Sequence, residues 1–199
     1  CETLLSAYVP AHNYPNQQNP FLPTCDTPRA AGTLVHQALS QMAEQGITRW
    51  QHHWPGHNPA WPQQLIRLGL AAELIEPSIH TAQVLIEQIL ADPFLQHRLN
   101  KPERCQAEHT WVHTNGQGFT PIRPDLLWLS DEGETWLIDY KTATPPAGVT
   151  RAAFIEQEKT TYQTTMAEYA QALTAAGVQR LRVGLYFVGL GVWEEYGVF

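Results

Sequence analysis

Apolar side chains recur along this chain with two different periods. Between Thr27 and Gln45 they return every three or four residues, which is the spacing of one face of an α-helix. Thr27 is placed to cap this helix, Pro28 stands at its first position and Gly46 ends it. The apolar stripe consists of Leu34, Val35, Ala38, Leu39 and Met42.

Periodicity and turn residues divide the rest of the chain into further elements. Helical segments are predicted at 60–75, 78–91 and 151–176, the last ending at Gly177. Strands are predicted at 104–113, 119–130, 134–141 and 180–189, with a short strand closing the chain. A loop at 50–61 and turns at 93–99, 115–116 and 131–133 connect them, and residues 1–27 form an irregular arm. This order predicts a single α/β domain over residues 1–199, with a mixed central β-sheet flanked by helices.

Composition supports a folded globular domain, because 43% of the 199 residues are hydrophobic and only 16% are charged. No apolar run reaches the roughly eighteen residues of a membrane-spanning helix, so we expect no membrane partner. The chain begins at Cys1 instead of a methionine, and we therefore expect it to be a piece of a larger protein.

The cysteine content and the net charge limit the kinds of function that this chain can have. Cys1, Cys25 and Cys105 follow no zinc or iron–sulfur spacing, and their odd number disfavours a disulfide framework, which together indicate a reducing cytoplasm. The net charge of −7 disfavours a stand-alone nucleic-acid binder, since such proteins normally present a basic face. It counts less against a nuclease, whose clustered carboxylates hold metal ions, and a separate domain or partner can deliver the strand.

The candidate chemistry lies on the strand predicted at 134–141. Alternation places Leu137, Asp139 and Lys141 on one face of this strand, so an acid and a lysine point the same way at its C-terminal end. Asp125 lies on the preceding predicted strand, and the turn at 131–133 folds the two strands together. A register offset then brings Asp125 within reach of Asp139.

Two carboxylates beside one ammonium suit phosphodiester hydrolysis. Carboxylate oxygens hold Mg²⁺, which lowers the pKa of a bound water and stabilises charge on the phosphate. The lysine orients the water or neutralises charge that develops in the transition state. The alternative is a structural Asp139–Lys141 pair at a strand end, with Asp125 serving a turn.

The stretch Pro124-Asp125, followed by Asp139-Tyr140-Lys141-Thr142, resembles the PD-(D/E)XK nuclease superfamily. More narrowly, it is similar to the RecB/AddA-type nuclease domains at the C-termini of bacterial helicase–nucleases. Three further features agree with this resemblance, which spans about residues 28–189. They are Gly32-Thr33-Leu34-Val35-His36, Pro93-Phe94-Leu95 followed by Leu99, and Tyr162, Tyr169, Ala172 and Leu173 on the long helix.

The resemblance implies a restriction-endonuclease-like core and a set of roles. His36, Asp125 and Asp139 would bind Mg²⁺ or Mn²⁺, with the Tyr140 carbonyl as a further ligand. Lys141 would be catalytic, alongside Asp125 and Asp139. Glu108, Tyr140 and Tyr162 would support the site. It also implies a C-terminal domain acting on DNA, single-stranded or at unwound ends, with a helicase domain in the same polypeptide or complex, in recombination and repair.

One position departs from the family pattern. The family's long helix usually carries glutamine three residues after its first tyrosine, and here Thr165 stands at that position. Gln163 lies about 200° away around the helix and does not substitute for it. The alternative function is therefore a catalytically inactive nuclease-like module that docks or guides DNA. A hydrolase acting on another substrate is a third alternative.

Several residues also have plainer interpretations. His36 on an apolar helix is compatible with a core histidine, and Glu108 is placed to pair with Arg123 across adjacent strands. Glu156 and Glu158 are expected to be solvated. Arg151 and Lys159 are candidates for phosphate contact. One loop is expected to be an aromatic surface patch, with a metal site or base stacking as the alternatives; it is rich in His52, His53, His57, Trp50, Trp54 and Trp61.

Overall fold

The structure is a computed structural model, and it describes residues 27–114 and 119–199. The α-helices in these ranges are α1 (Thr27–Gln45), α2 (Ile47–His52), α3 (Trp61–Arg67), α4 (Ala72–Ala91), α5 (Pro93–Leu99) and α6 (Arg151–Ala175). Short 3-10 helices lie at Pro102–Arg104 and Val188–Leu190. The strands are β1 (Cys105–Ala107), β2 (Trp111–Thr114), β3 (Phe119–Ile122), β4 (Leu126–Leu129), β5 (Thr135–Lys141), β6 (Leu181–Phe187) and β7 (Val192–Val198). The predicted turn at 115–116 and all of the predicted arm before Thr27 lie outside the described residues.

Five strands form the central sheet in the order β1-β4-β5-β6-β7. Strands β5 and β6 are parallel and the other pairs are antiparallel. A parallel pair requires a crossover connection, and α6 supplies it. Strands β2 and β3 form a separate antiparallel hairpin. The mixed sheet with its flanking helices confirms the predicted α/β fold class.

The sheet separates two hydrophobic layers. On one face, Ile138 and Tyr140 of β5 belong to the core that α1, α4 and α5 share with the sheet. On the other face, Leu137 packs with Met166 and Leu173 of α6. The predicted alternation along β5 is therefore confirmed, since neighbouring residues enter different cores.

Two predicted strands are each broken in two. The expected strands 104–113 and 119–130 leave the central sheet at 108–110 and 123–125, and the hairpin β2–β3 lies between the breaks. Glu108 adopts a left-handed backbone with φ 47°, which interrupts an extended strand. The Arg123 side chain pairs with the Glu108 carboxylate and donates to its carbonyl oxygen at 2.9 Å. These contacts close the base of the hairpin. The alternating pattern of the sequence continues through both breaks, but the pairing with the central sheet does not.

The N-terminal helices also differ from prediction. The expected loop at 50–61 is helical up to His52 and again from Trp61, because Trp50 and Trp61 are buried against the core. Helix α4 begins at Ala72 and continues through Pro77, where a break was expected. Pro77 is the sixth residue of this helix, so it forgoes one backbone hydrogen bond, and the helix continues because its later residues pack into the core. The expected turn at 93–99 is helix α5, which Asp92 caps by accepting from two backbone amides.

The elements after β5 match the prediction closely. Helix α6 begins where Thr150 accepts a hydrogen bond from the Ala153 amide at 3.2 Å, and Gly177 follows its end at φ 90°. Before β5, the predicted turn at 131–133 is also present, with Gly133 at φ 76°. None of the helices in residues 27–114 and 119–199 combines the length and the apolar character that crossing a bilayer requires.

Candidate active site

The C-terminal end of β5 carries the acid and the lysine singled out by the sequence. The Lys141 ammonium lies 2.6 Å from Oδ2 of Asp139. Oδ2 of Asp139 is buried, and beyond this ion pair it has no hydrogen-bond partner among the described residues. Lys141 is only 6% exposed, and a lysine buried this deeply needs nearby negative charge.

Asp125 lies just before β4 and opposite the acid of β5. The antiparallel register pairs Leu126 with Ile138, so the next position along brings Asp125 beside Asp139. Its Oδ2 accepts a hydrogen bond from the Tyr140 amide at 2.8 Å. The predicted register offset is not needed, because the tight turn between β4 and β5 already aligns the two acids.

Helix α1 brings His36 to the same point. Its Nδ1 lies 3.2 Å from Oδ1 of Asp125. One turn earlier, Gly32 faces Thr142, and an added methyl group there would lie 2.8 Å from the threonine Oγ1. A side chain at position 32 would therefore require the threonine hydroxyl or the helix itself to move. The glycine explains how a helix comes close enough to the strand for His36 to reach the acids.

Burial and mutual charge perturb all three groups. Burial raises the pKa of Asp139 above its ordinary value, although Lys141 opposes this. Burial also tends to raise the pKa of Asp125, but the neighbouring His36 has the opposite effect, and the pKa of Asp125 is lowered overall. Burial disfavours the His36 cation, yet the Asp125 carboxylate raises the pKa of the imidazole. The cluster thus contains groups whose protonation depends on one another.

Helix α6 adds two side chains beside the lysine. The Tyr162 ring lies under the Lys141 ammonium, 3.1 Å from Nζ to the ring centroid. Glu158 is one turn earlier and half-buried; burial raises its pKa, while Lys141 lowers it. Glu158 is less exposed than expected, whereas Glu156 is exposed as expected. The spacing of four residues between Glu158 and Tyr162 is the sequence signal that places both on one helix face.

Two predicted supporting groups lie elsewhere. Glu108 forms an ion pair with Arg123, so the plainer interpretation of this acid holds. The Tyr140 phenol is buried on the opposite face of the sheet, where burial raises its pKa. Only the Tyr140 backbone borders the site, and ligation by its carbonyl stays a prediction. Arg151 donates to the Leu190 carbonyl at 3.1 Å.

The histidine- and tryptophan-rich segment packs onto the domain. Trp54 stacks on Trp50 at 4.8 Å between ring centroids and tilts against Trp61 at 5.4 Å. The Nδ1 atom of His53 is within hydrogen-bond distance of the Arg49 carbonyl, at 2.8 Å. This arrangement favours the aromatic surface patch over a metal site.

The remaining positions raised by the sequence are Cys105, Thr165 and Lys159. Burial raises the pKa of the Cys105 thiol to about 12, which makes it unreactive. Cys1 and Cys25 are outside the described residues. Thr165 is half-buried on α6, while Gln163 is exposed. Lys159 lies 3.6 Å from Glu194.

The donor set fits a hard divalent cation. Two carboxylates and one imidazole nitrogen converge, and a buried carboxylate oxygen of Asp139 has no hydrogen-bond partner. In the described part of the chain, no three His, Cys, Asp or Glu side chains already surround one point in the manner of a metal site. In this arrangement His36 faces Asp125, and the Lys141 ammonium faces Asp139.

Comparison with known proteins identifies the family. The profile of the PD-(D/E)XK nuclease superfamily matches residues 14–195. No curated protein matches the sequence. A solved structure described as "Crystal structure of SSO0001" is 12% identical over 83% of this chain and 75% of that chain, and its TM-score of 0.29 is too low to carry an argument. The profile match extends over nearly the whole sequence, and the chain therefore belongs to the PD-(D/E)XK nuclease superfamily.

Proposed function

We propose that this chain is a divalent-metal-dependent deoxyribonuclease. Members of the superfamily are generally nucleases that use divalent metals such as Mg²⁺. One observation carries the proposal: Asp125, Asp139, Lys141 and His36, from three separate elements, meet at the end of β5. A structural ion pair would need only two of these groups.

The proposed roles follow from charge and burial. His36, Asp125 and Asp139 would hold Mg²⁺ or Mn²⁺. When bound, the metal supplies a Lewis acid that lowers the pKa of water and offsets charge on the phosphate. Lys141 binds a phosphate oxygen or the attacking water through its ammonium protons. Because Lys141 is 6% exposed, its charge is weakly screened, which strengthens its effect on a developing negative charge.

We further propose that the chain is the nuclease domain of a RecB/AddA-like helicase–nuclease. The support is the order of sequence motifs: the glycine and histidine of α1, the Pro93-Phe94-Leu95 segment of α5, and the tyrosines of α6. The substrate is then DNA, as single strands or unwound ends, in recombination and repair in the cytoplasm. A helicase domain that delivers the strand accounts for a nuclease domain with a net charge of −7.

The competing proposal is a nuclease-like module without catalysis that docks or guides DNA. Thr165 favours it, because relatives carry glutamine at this position of the helix. The two proposals differ in one observable, since only the first requires cleavage that depends on both metal and Asp139.

A cleavage assay tests the proposed function. The purified chain is incubated with linear single-stranded, circular single-stranded and linear duplex DNA, in Mg²⁺, in Mn²⁺ and in chelator. We expect metal-dependent cleavage by the wild type and by the surface control Asp131→Asn, and none by Asp139→Asn. Cleavage of the circle identifies endonuclease action, and cleavage of linear DNA alone identifies exonuclease action. A folded wild type that cleaves no substrate in either metal overturns the proposal, as does undiminished cleavage by Asp139→Asn.

A further inference from the structure

The surroundings of the Lys141 ammonium are unusual for a lysine. On one side it meets Asp139, with 2.6 Å between Nζ and Oδ2. On another side it meets the face of the Tyr162 ring, with 3.1 Å between Nζ and the ring centroid. Lys141 is buried to 6% exposure, so an aromatic face takes the place that water occupies around a surface lysine.

An aromatic face stabilises a cation differently from a carboxylate. The negative face of the ring attracts the ammonium through its quadrupole, most strongly where water is excluded. A carboxylate takes a directed hydrogen bond from an ammonium, whereas the ring attracts the whole charge. The N–H bonds that do not point at Asp139 therefore remain available to a phosphate oxygen or to a water molecule.

The position of Tyr162 is fixed by its helix. Tyr162 is half-buried and packs at the edge of the core between α6 and the sheet. Glu158, one turn earlier, is near enough to Lys141 for the two charges to interact. The α6 face therefore forms one wall of the lysine site, with the ring at its centre.

We propose that Tyr162 is a positioning residue, whose ring face holds the Lys141 ammonium at the end of β5 with its free N–H bonds directed toward the substrate. This inference rests on the proposed nuclease function, since it assigns a role in that reaction. The contact itself does not depend on catalysis, and it can be measured separately.

A spectroscopic measurement tests the contact in metal-free protein. The chain contains three lysines, at 101, 141 and 159, so selective ¹³C labelling of lysine gives few ε-methylene signals, which single Lys→Arg variants assign. We expect ring-current shielding of the Lys141 ε-methylene in the wild type and in Tyr162→Phe, and its loss in Tyr162→Leu. Lys159, whose Nζ lies 5.9 Å from the Tyr196 ring centroid, shows a smaller effect. Unshielded Lys141 signals in the wild type overturn the proposal.

Kinetics test the role. Tyr162→Phe keeps the ring and most of the activity, whereas Tyr162→Leu loses roughly thirtyfold in kcat, the rate equivalent of a desolvated cation–π contact. KM for DNA stays within about twofold in both variants, because the ring acts on the lysine and leaves strand binding unchanged. Tyr162→Leu that matches wild-type kcat overturns the inference. Absence of cleavage by the wild type instead overturns the proposed nuclease function, while the lysine signals still report on the contact.

A series of variants that keep the shape of the side chain tests the proposal even if Tyr162→Leu does not fold. Phenylalanine with two and with five ring fluorines at position 162 keeps the size of the side chain while weakening the negative ring face. We expect kcat to fall in step with fluorination, and the thermal unfolding midpoint to change little. A series with constant kcat overturns the proposal, because a ring that only fills space would not respond to its quadrupole.

Discussion

Among the residues that the structure describes, two cations are buried, and they lie on opposite faces of the same sheet. Lys141 is 6% exposed on the face toward α6, and Arg98 is 8% exposed on the face toward α5. Burial of a charge is costly unless other groups compensate for it. The two residues meet that requirement in different ways, and the difference separates the candidate active site from a structural one.

Arg98 is compensated mainly by aromatic rings. Its guanidinium carbon lies 3.5, 4.7 and 4.4 Å from the ring centroids of Phe94, Trp128 and Trp136. Nη1 donates to the Phe94 carbonyl at 3.1 Å, and Nε is buried without a hydrogen-bond partner. Burial lowers the pKa of Arg98 to about 10, so it stays charged at neutral pH. No carboxylate ion pair with Arg98 is found within the described ranges.

Lys141 has one ring and two nearby carboxylates at a strand end. The groups around Lys141 carry charges that a metal or a phosphate can rearrange, whereas the rings around Arg98 hold a fixed cation in place. Burial alone therefore does not identify a functional cation. The ionisable groups beside the cation do identify it. Each of the following changes tests this contrast between Lys141 and Arg98.

The largest effect is expected at Lys141. Lys141→Ala should lower kcat/KM at least about a thousandfold, or roughly 4 kcal/mol in activation free energy, because the transition-state charge loses its ammonium. The matched control is Lys159→Ala, which removes a lysine from the neighbouring α6 and should change the rate less than about threefold. Cleavage kinetics measure both, and circular dichroism checks that both are folded. A Lys141→Ala variant with near-wild-type rates would remove Lys141 from the catalytic centre.

Arg98 should affect stability and leave catalysis intact. Arg98→Ala is expected to lower the free energy of unfolding by about 3 kcal/mol, since it opens a cavity and ends three cation–π contacts. Arg98→Met fills most of that volume and removes the buried charge, so it should lose less than half as much. Urea unfolding followed by tryptophan fluorescence gives both values. A folded Arg98→Met variant with a strongly reduced cleavage rate would contradict the structural role.

A smaller effect is expected from pH in the metal-free protein. The pKa of His36 is raised in the folded state, so its contribution to stability is complete below its unfolded value of 6.5 and is lost as pH rises through the folded value. Asp125 has a lowered pKa, so its contribution is present above 3.8 and is lost as pH falls below it. The free energy of unfolding in chelator should therefore fall more between pH 5.5 and 8.5 in the wild type than in His36→Gln. Parallel pH profiles in the two proteins would show that the pair is not coupled.

The smallest effect is expected at Glu108, an acid that pairs outside the site. Glu108→Gln should change kcat/KM less than about threefold, because its carboxylate already faces Arg123 and contributes the modest energy of a partly exposed ion pair. Arg123→Gln is the companion variant and should give a similar rate. A hundredfold loss in Glu108→Gln alone would restore the supporting role that the sequence indicated.

Local spacing was enough to predict much of the fold and part of the site. The alternation on β5 places Asp139 and Lys141 on one face. The turn after β4 brings Asp125 to Asp139 as expected, although without the register offset that the sequence suggested. The limits of α1 and α6 follow from Gly46 and Gly177, which end their helices. All of these features depend on residues close together in the chain, so a single sequence contains them.

Other features depend on contacts between distant residues. The strand breaks arise from the pairing of Glu108 with Arg123 and the left-handed backbone at Glu108, which an alternating pattern does not reveal. Burial of Trp50 extends helix into a segment that otherwise resembles a loop. The approach of Glu158 to Lys141 depends on how α6 is rotated against the sheet. His36 was found only through the family resemblance, since its proximity to Asp125 depends on the packing of Gly32 against Thr142.

The predictions for cleavage depend on the claim that His36, Asp125 and Asp139 hold a divalent cation beside Lys141. Calorimetric titration of the metal-free chain with Mn²⁺ tests it most directly, with Asp125→Asn, Asp139→Asn and His36→Gln as variants and Asp131→Asn as the surface control. We predict saturable binding in the wild type and in the control, its loss in the two catalytic-acid variants, and weaker binding in His36→Gln. No saturable binding by the folded wild type, or binding unchanged in all three variants, would contradict the account.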